Sequence, residues 1–177
     1  MILRSRVIWP IGACGLLLVP APAGAFELSG GVSLGGVTAG TKPRFAVSPH
    51  AGIAWPMESG FLVTVSDVCS IMPATNGRGP GVHNQTSIAV GYASDKARLS
   101  AGPSVSFYSM LACGSTIRGR VVGVSPGVHV QASMYFVGQL GLSVSAALEW
   151  MGGSSGVLPD GVAATVVAGP VVRWSTK

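Results

Sequence analysis

At 48% hydrophobic and 10% charged residues, against about 25% charged in ordinary soluble domains, the 177-residue chain is too apolar for a typical soluble protein. Mean hydropathy is +0.54, yet past Val19 there is no run of about 20 apolar residues, which excludes a transmembrane helix there. The formal net charge of +5 falls to +3 (9 basic against 6 acidic residues) once Arg4 and Arg6 are set aside with an N-terminal leader, too weak and scattered to argue for nucleic acid.

Residues 1–25 read as a signal peptide. Arg4 and Arg6 make the charged start, Val7 to Val19 is the apolar run, and Ala23-Gly24-Ala25 is a cleavage site, leaving 26–177 as one exported domain. A rival cut exists at Ile11-Gly12-Ala13-Cys14, which resembles a lipoprotein box with Cys14 to be acylated. A hydrophobic, glycine-rich exported chain without a membrane helix leaves the closed β-barrel, because only helices and closed barrels satisfy every backbone group in lipid.

The remaining chain alternates apolar and small polar residues eight times, the period of a strand with two unlike faces. The apolar faces read Phe26-Leu28-Gly30-Val32-Leu34, then Phe45-Val47-Pro49-Ala51-Ile53-Trp55, then Phe61-Val63-Val65 and Thr86-Ile88-Val90-Tyr92. Leu99-Ala101-Pro103-Val105-Phe107 and Val122-Val124-Pro126-Val128-Val130 follow. The seventh strand spans Phe136 to Trp150, and the eighth reads Val162-Ala164-Val166-Ala168-Pro170-Val172-Trp174. Short connections at 56–60, 95–97 and 132–135 alternate with longer segments around 35–43, 67–84, 109–119 and 151–161. A small residue followed by Pro49, Pro103, Pro126 or Pro170 interrupts four strands, which predicts bulges or bends that curve the sheet.

Two observations separate a membrane barrel from a soluble one. The polar faces are mostly Ser, Gly, Ala and Thr, suited to a narrow interior rather than to a solvated surface of about 25–35% charge. The large rings Phe26, Phe45, Trp55, Phe61, Tyr92, Phe107, Phe136, Trp150 and Trp174 lie at or near strand ends on the apolar face, where a bilayer interface would hold them. The fold expected is an all-β, eight-stranded antiparallel up-and-down transmembrane β-barrel in outer-membrane lipid.

Gly169, Val172 and Trp174 on the last strand resemble the C-terminal signal of outer-membrane barrels, although Ser175-Thr176-Lys177 follow the final aromatic. From Phe26 to Trp174 the chain resembles the small eight-stranded outer-membrane barrels of the OmpA transmembrane-domain and OmpX type. The resemblance implies insertion by the barrel assembly machinery of a Gram-negative cell, a monomer, and an interior holding charge pairs, some of which have been proposed to act as gates.

Among residues that could carry chemistry, Glu27 and Arg173 face inward on the first and last strands, which barrel closure makes neighbours, and Arg98 at the same end could share the carboxylate. Glu149 and Arg44 face inward at the loop end and are expected to pair. A charge in a narrow lumen must be paired or wetted, so these pairs are read first as structural and second as a gate. His50 and His129 face inward without a cysteine or carboxylate at ligand spacing, and His83, Asp67 and Asp160 are placed in loops. Cys69 and Cys113 both fall on the long-loop side of an exported chain, which predicts a disulfide between them. No nucleophile, base and acid are brought together by the pattern, and no metal, cofactor or enzymatic activity is expected. The function read from the residues is a structural or surface-interaction role. A narrow pore or gated channel, and a soluble periplasmic lipocalin-like barrel for a small apolar ligand, are the alternatives.

Overall fold

The computed structural model describes residues 26–38, 43–74, 79–113, 118–151 and 161–175, with side chains described outside 110–113, 118–121 and 151. Eight strands follow one another as β1 (Glu27–Thr38), β2 (Pro43–Pro56), β3 (Phe61–Met72), β4 (Gly81–Ala93), β5 (Ala97–Cys113), β6 (Arg118–Val137), β7 (Leu140–Met151) and β8 (Gly161–Ser175). Each pairs antiparallel with the next, and β8 closes on β1, for example at Gly30↔Val172, so the sheet is a closed up-and-down barrel as the alternation predicts. Partners of Glu27 run through Ala54, Thr64, Ala89, Gly102, His129, Ala147 and Thr165 and return to β1 at Val37, ten residues further on. That stagger tilts the strands against the axis and leaves an interior that side chains can fill.

The outward face carries the apolar set. Leu28, Val32, Ile88, Val90, Val124, Val128, Leu142, Val144, Leu148 and Val166 are all exposed there, whereas Ser48, Ser70, Ser106, Ser125, His129 and Glu149 are buried inside. A water-soluble protein would reverse this arrangement.

Several expected boundaries shift. Phe136 lies one residue before the end of β6 and does not begin β7, because Gly138 and Gln139 form a two-residue turn in which Gly138 adopts φ +52°, a conformation open to glycine without steric cost. A register shift between Tyr135 and Val137 accompanies the turn. The turn inverts the in–out phase and the bulge restores it, so the alternation runs unbroken across a hairpin. The expected proline bulges are absent from the described ladders. Val47↔Ile71 and His50↔Val68 flank Pro49 without a shift, and Ser87↔Ser104 and Val90↔Ala101 flank Pro103 likewise. Proline here costs the sheet ladder bonds but not register.

β3 and β4 also run further than expected, so Asp67 and His83 are strand residues and not loop residues. The predicted Cys69–Cys113 bridge does not fit this register. Cys69 is level with Asn84 on β4 and Phe107 on β5, while the backbone of Cys113 pairs with Arg118, six residues beyond Phe107. Six residues of strand span about 20 Å, far more than the 4.4–6.8 Å between the Cα atoms of a disulfide. The side chain of Cys113, like Cys14, Asp160 and the leader, lies outside the described residues.

Candidate functional site

The interior is a column of polar groups in three tiers. At the loop end, Glu149 on β7 is 2% exposed, and its Oε2 lies 2.7 Å from His83 Nε2 on β4. Its Oε1 accepts from Gln85 Nε2 at 2.9 Å and from Ser106 on β5. Arg44, the partner expected for Glu149, instead donates to the carbonyls of Gly79 at 2.6 Å and Pro73 at 3.3 Å, tying the β3–β4 connection to the barrel wall. The carboxylate is thus held by three side chains from two strands, β4 and β5, that do not pair with β7, an arrangement that compensates a buried charge.

In the middle tier His129, 1% exposed, is held between Ser87 at 3.0 Å on Nδ1 and Ser145 at 2.5 Å on Nε2, and Ser87 in turn lies 2.7 Å from Ser66. His50 Nδ1 is 3.4 Å from the Ser33 hydroxyl. Two hydroxyls bracket the His129 imidazole, so its neighbours fix the ring without forming a nucleophile–base–acid relay. Ser106 sits on the carboxylate of Glu149 and not on an imidazole. Among the described residues no three of His, Cys, Asp and Glu converge as metal ligands.

At the turn end Glu27 on β1 pairs across the lumen with Arg98 on β5, not with Arg173 on the adjacent strand. Tyr135 explains the exchange. The Arg173 guanidinium lies 4.3 Å from the Tyr135 ring centroid and donates to the carbonyls of Asp95 at 3.4 Å and Gly138 at 3.3 Å, which fastens both neighbouring turns. Arg98 lies 5.4 Å from the same ring. Tyr135, 5% exposed, was hidden in the sequence because its segment reads as a connection and not as an inward strand position. Beside it a crevice of about 20 Å³, bordered by Ser29, Arg98, Ser100, Gln131 and Ser133, has room for about one water-sized body.

The outer face carries two rings of aromatics. Trp55, Phe61, Tyr92, Phe136 and Trp174 lie at the turn end, and Phe45, Phe107 and Trp150 toward the loop end. On β2 alone Phe45 and Trp55 are ten residues apart. With strands tilted about 40°, each residue climbs about 2.4 Å, so the rings stand about 24 Å apart, the height of a lipid-facing band. Phe26 lies just before β1 at the turn end.

One charged side chain interrupts this band among the described residues. Asp67 points outward from β3, half-buried, and its Oδ1 accepts from Thr86 Oγ1 at 2.8 Å and Asn84 Nδ2 at 3.0 Å, both on β4.

No family model matches the chain, and no curated protein matches it. Among solved structures it is similar to Neisserial surface protein A at 14% identity and TM-score 0.56, over 85% of this chain and 99% of that one. It is similar to the N-terminal β-barrel domain of Pseudomonas aeruginosa OprF at 10% identity and TM-score 0.52, over 85% and 97%. A third likeness is to Ail, the attachment invasion locus protein of Yersinia pestis, at 13% identity and TM-score 0.53, over 85% and 99%. At these identities the likeness is one of architecture, and the architecture is that of the small eight-stranded outer-membrane β-barrels.

Proposed function

We propose that this chain is an integral outer-membrane barrel that plugs its own lumen and serves as a rigid, non-enzymatic platform for contacts at its loop end. The observation that carries the reading is the filled interior. The Glu149 cluster, the His129 cluster and the Glu27–Arg98 pair with Tyr135 succeed one another along the axis. Such a column stiffens the barrel and obstructs ion passage, which weakens the pore reading. The two aromatic rings and the apolar wall between them support residence in lipid and weigh against a soluble barrel with a greasy interior.

Contacts belong at the loop end because, among the described residues, β5 and β6 form the longest paired ladder. Among the described residues β5 pairs with β4 as far as Met110↔Gly81 and β6 with β7 as far as Gly127↔Glu149, while β5 and β6 remain paired to Cys113↔Arg118. The names of two relatives, a surface protein and an attachment invasion locus protein, accord with a surface-contact role. On the same reading residues 1–25 are removed on export, and the last strand is presented to the barrel assembly machinery.

Refolded protein reconstituted in planar bilayers tests the platform against the pore. The expected outcome is heat-modifiable gel mobility with no steady conductance, and a sustained ohmic current would establish the pore. Release from cells by osmotic shock without detergent would establish the soluble barrel.

A further inference from the structure

Asp67 stands where a membrane barrel can least accommodate a carboxylate. It is six residues above Phe61 on β3, and its ladder partner Ala51 lies between Phe45 and Trp55 on β2, which puts it about 14 Å above the turn-end ring, near the middle of the band. Lipid supplies no hydrogen-bond partners at that depth, and ionisable groups there characteristically face protein. Asn84 and Thr86 extend the polar area on the same outward face.

We propose that the outer face of β3 and β4 is the interface between two copies of this chain, with Asp67 of each copy facing Thr86 of the other. The proposal rests on the membrane reading above and revises the expectation of a monomer. Two barrels inserted in the same direction are related by a two-fold axis along the membrane normal, so groups meet partners at equal depth. Asp67 is six residues above Phe61, Thr86 is six residues above Tyr92, and Phe61 and Tyr92 are ladder partners. The two groups are therefore ladder partners on adjacent strands, and the tilt of about 40° sets them only about 3 Å apart in height. An axis passing between β3 and β4 sets acceptor against donor twice: the second amide hydrogen of Asn84, beyond the one given to its own Asp67, comes within reach of the other copy's carboxylate, and the Thr86 hydroxyl can exchange its one proton between its own Asp67 and the other's. Ala51 and Val105, the flanking partners of Asp67 and Thr86, are short enough to let the walls approach. Cys69 and Asn84, partners one level higher, fall opposite each other across the same axis.

Two populations of purified protein, labelled with donor and acceptor fluorophores and reconstituted in phosphatidylcholine vesicles at high lipid-to-protein ratio, test the interface. Wild type is expected to show energy transfer that saturates as a dimer. Asp67→Leu and Thr86→Val are each expected to insert normally, read by heat-modifiable mobility, and to raise the dimer dissociation constant roughly tenfold. Wild-type transfer no higher than random collision overturns the proposal. So does wild-type transfer retained by both inserted variants. If wild type itself fails to insert, the membrane reading falls and the dimer with it.

Discussion

Glu149 and Gly138 show how differently single residues hold this barrel. Glu149 is buried with three partners, so its removal leaves His83, Gln85 and Ser106 facing a void. Glu149→Ala is expected to cost about 3–5 kcal/mol in urea unfolding from lipid vesicles. Glu149→Gln keeps the shape and loses the charge, and should fall between wild type and Glu149→Ala. Gly138 offers Arg173 only its carbonyl, which any residue would retain, so its identity matters through its φ of +52°, and Gly138→Val should cost about 1–2 kcal/mol by the same measurement. The sequence exposed Glu149 as an inward charge at the loop end but misassigned its partner. Arg44 is at the same end, yet the backbone carbonyls of Gly79 and Pro73 take its guanidinium, and carbonyl acceptors have no signature in side-chain spacing.

For strands, the in–out assignment is the strongest consequence of the alternation. Val144 is 48% exposed on the outer face of β7, while its neighbour Ser143 is buried in the lumen. Val144→Arg near mid-band should cost about 2–4 kcal/mol of folding free energy in bilayers, whereas Ser143→Arg should fail by crowding in a filled interior. Equal folding yields of Val144→Arg and wild type in vesicles would invert the facing. Period-two patterning made these faces legible because every strand obeys it. It misled where polarity was taken as an ending. Asp67 and Asn84 look like loop residues but are outward strand residues that hydrogen-bond to each other, with Thr86 as a second donor to Asp67, and His83 is an inward one satisfied by Glu149. The Gly138–Gln139 turn escaped notice because its bulge repairs the phase.

For the whole molecule, the plugged column and the apolar wall make separable expectations. If the turn-end tier obstructs the lumen, Arg98→Ala with Glu27→Ala should admit a measurable single-channel current in planar bilayers where wild type shows none. The double variant that stays silent would place the obstruction at the Glu149 or His129 tier. Barrel closure was legible from eight alternating segments and the absence of a helix. The stagger of ten residues was not, because register depends on the pairing of whole strands rather than on any one of them.

The reach of Glu149 bears on how the barrel comes together. It joins β7 to β4 and β5, which are not its sheet neighbours, and Glu27 likewise joins β1 to β5. Neither link can form while the sheet is an open ribbon, however completely its hairpins have zipped. These carboxylates therefore act as late latches. Weakening them should hasten the opening of finished barrels while leaving the rate at which hairpins enter the membrane unchanged.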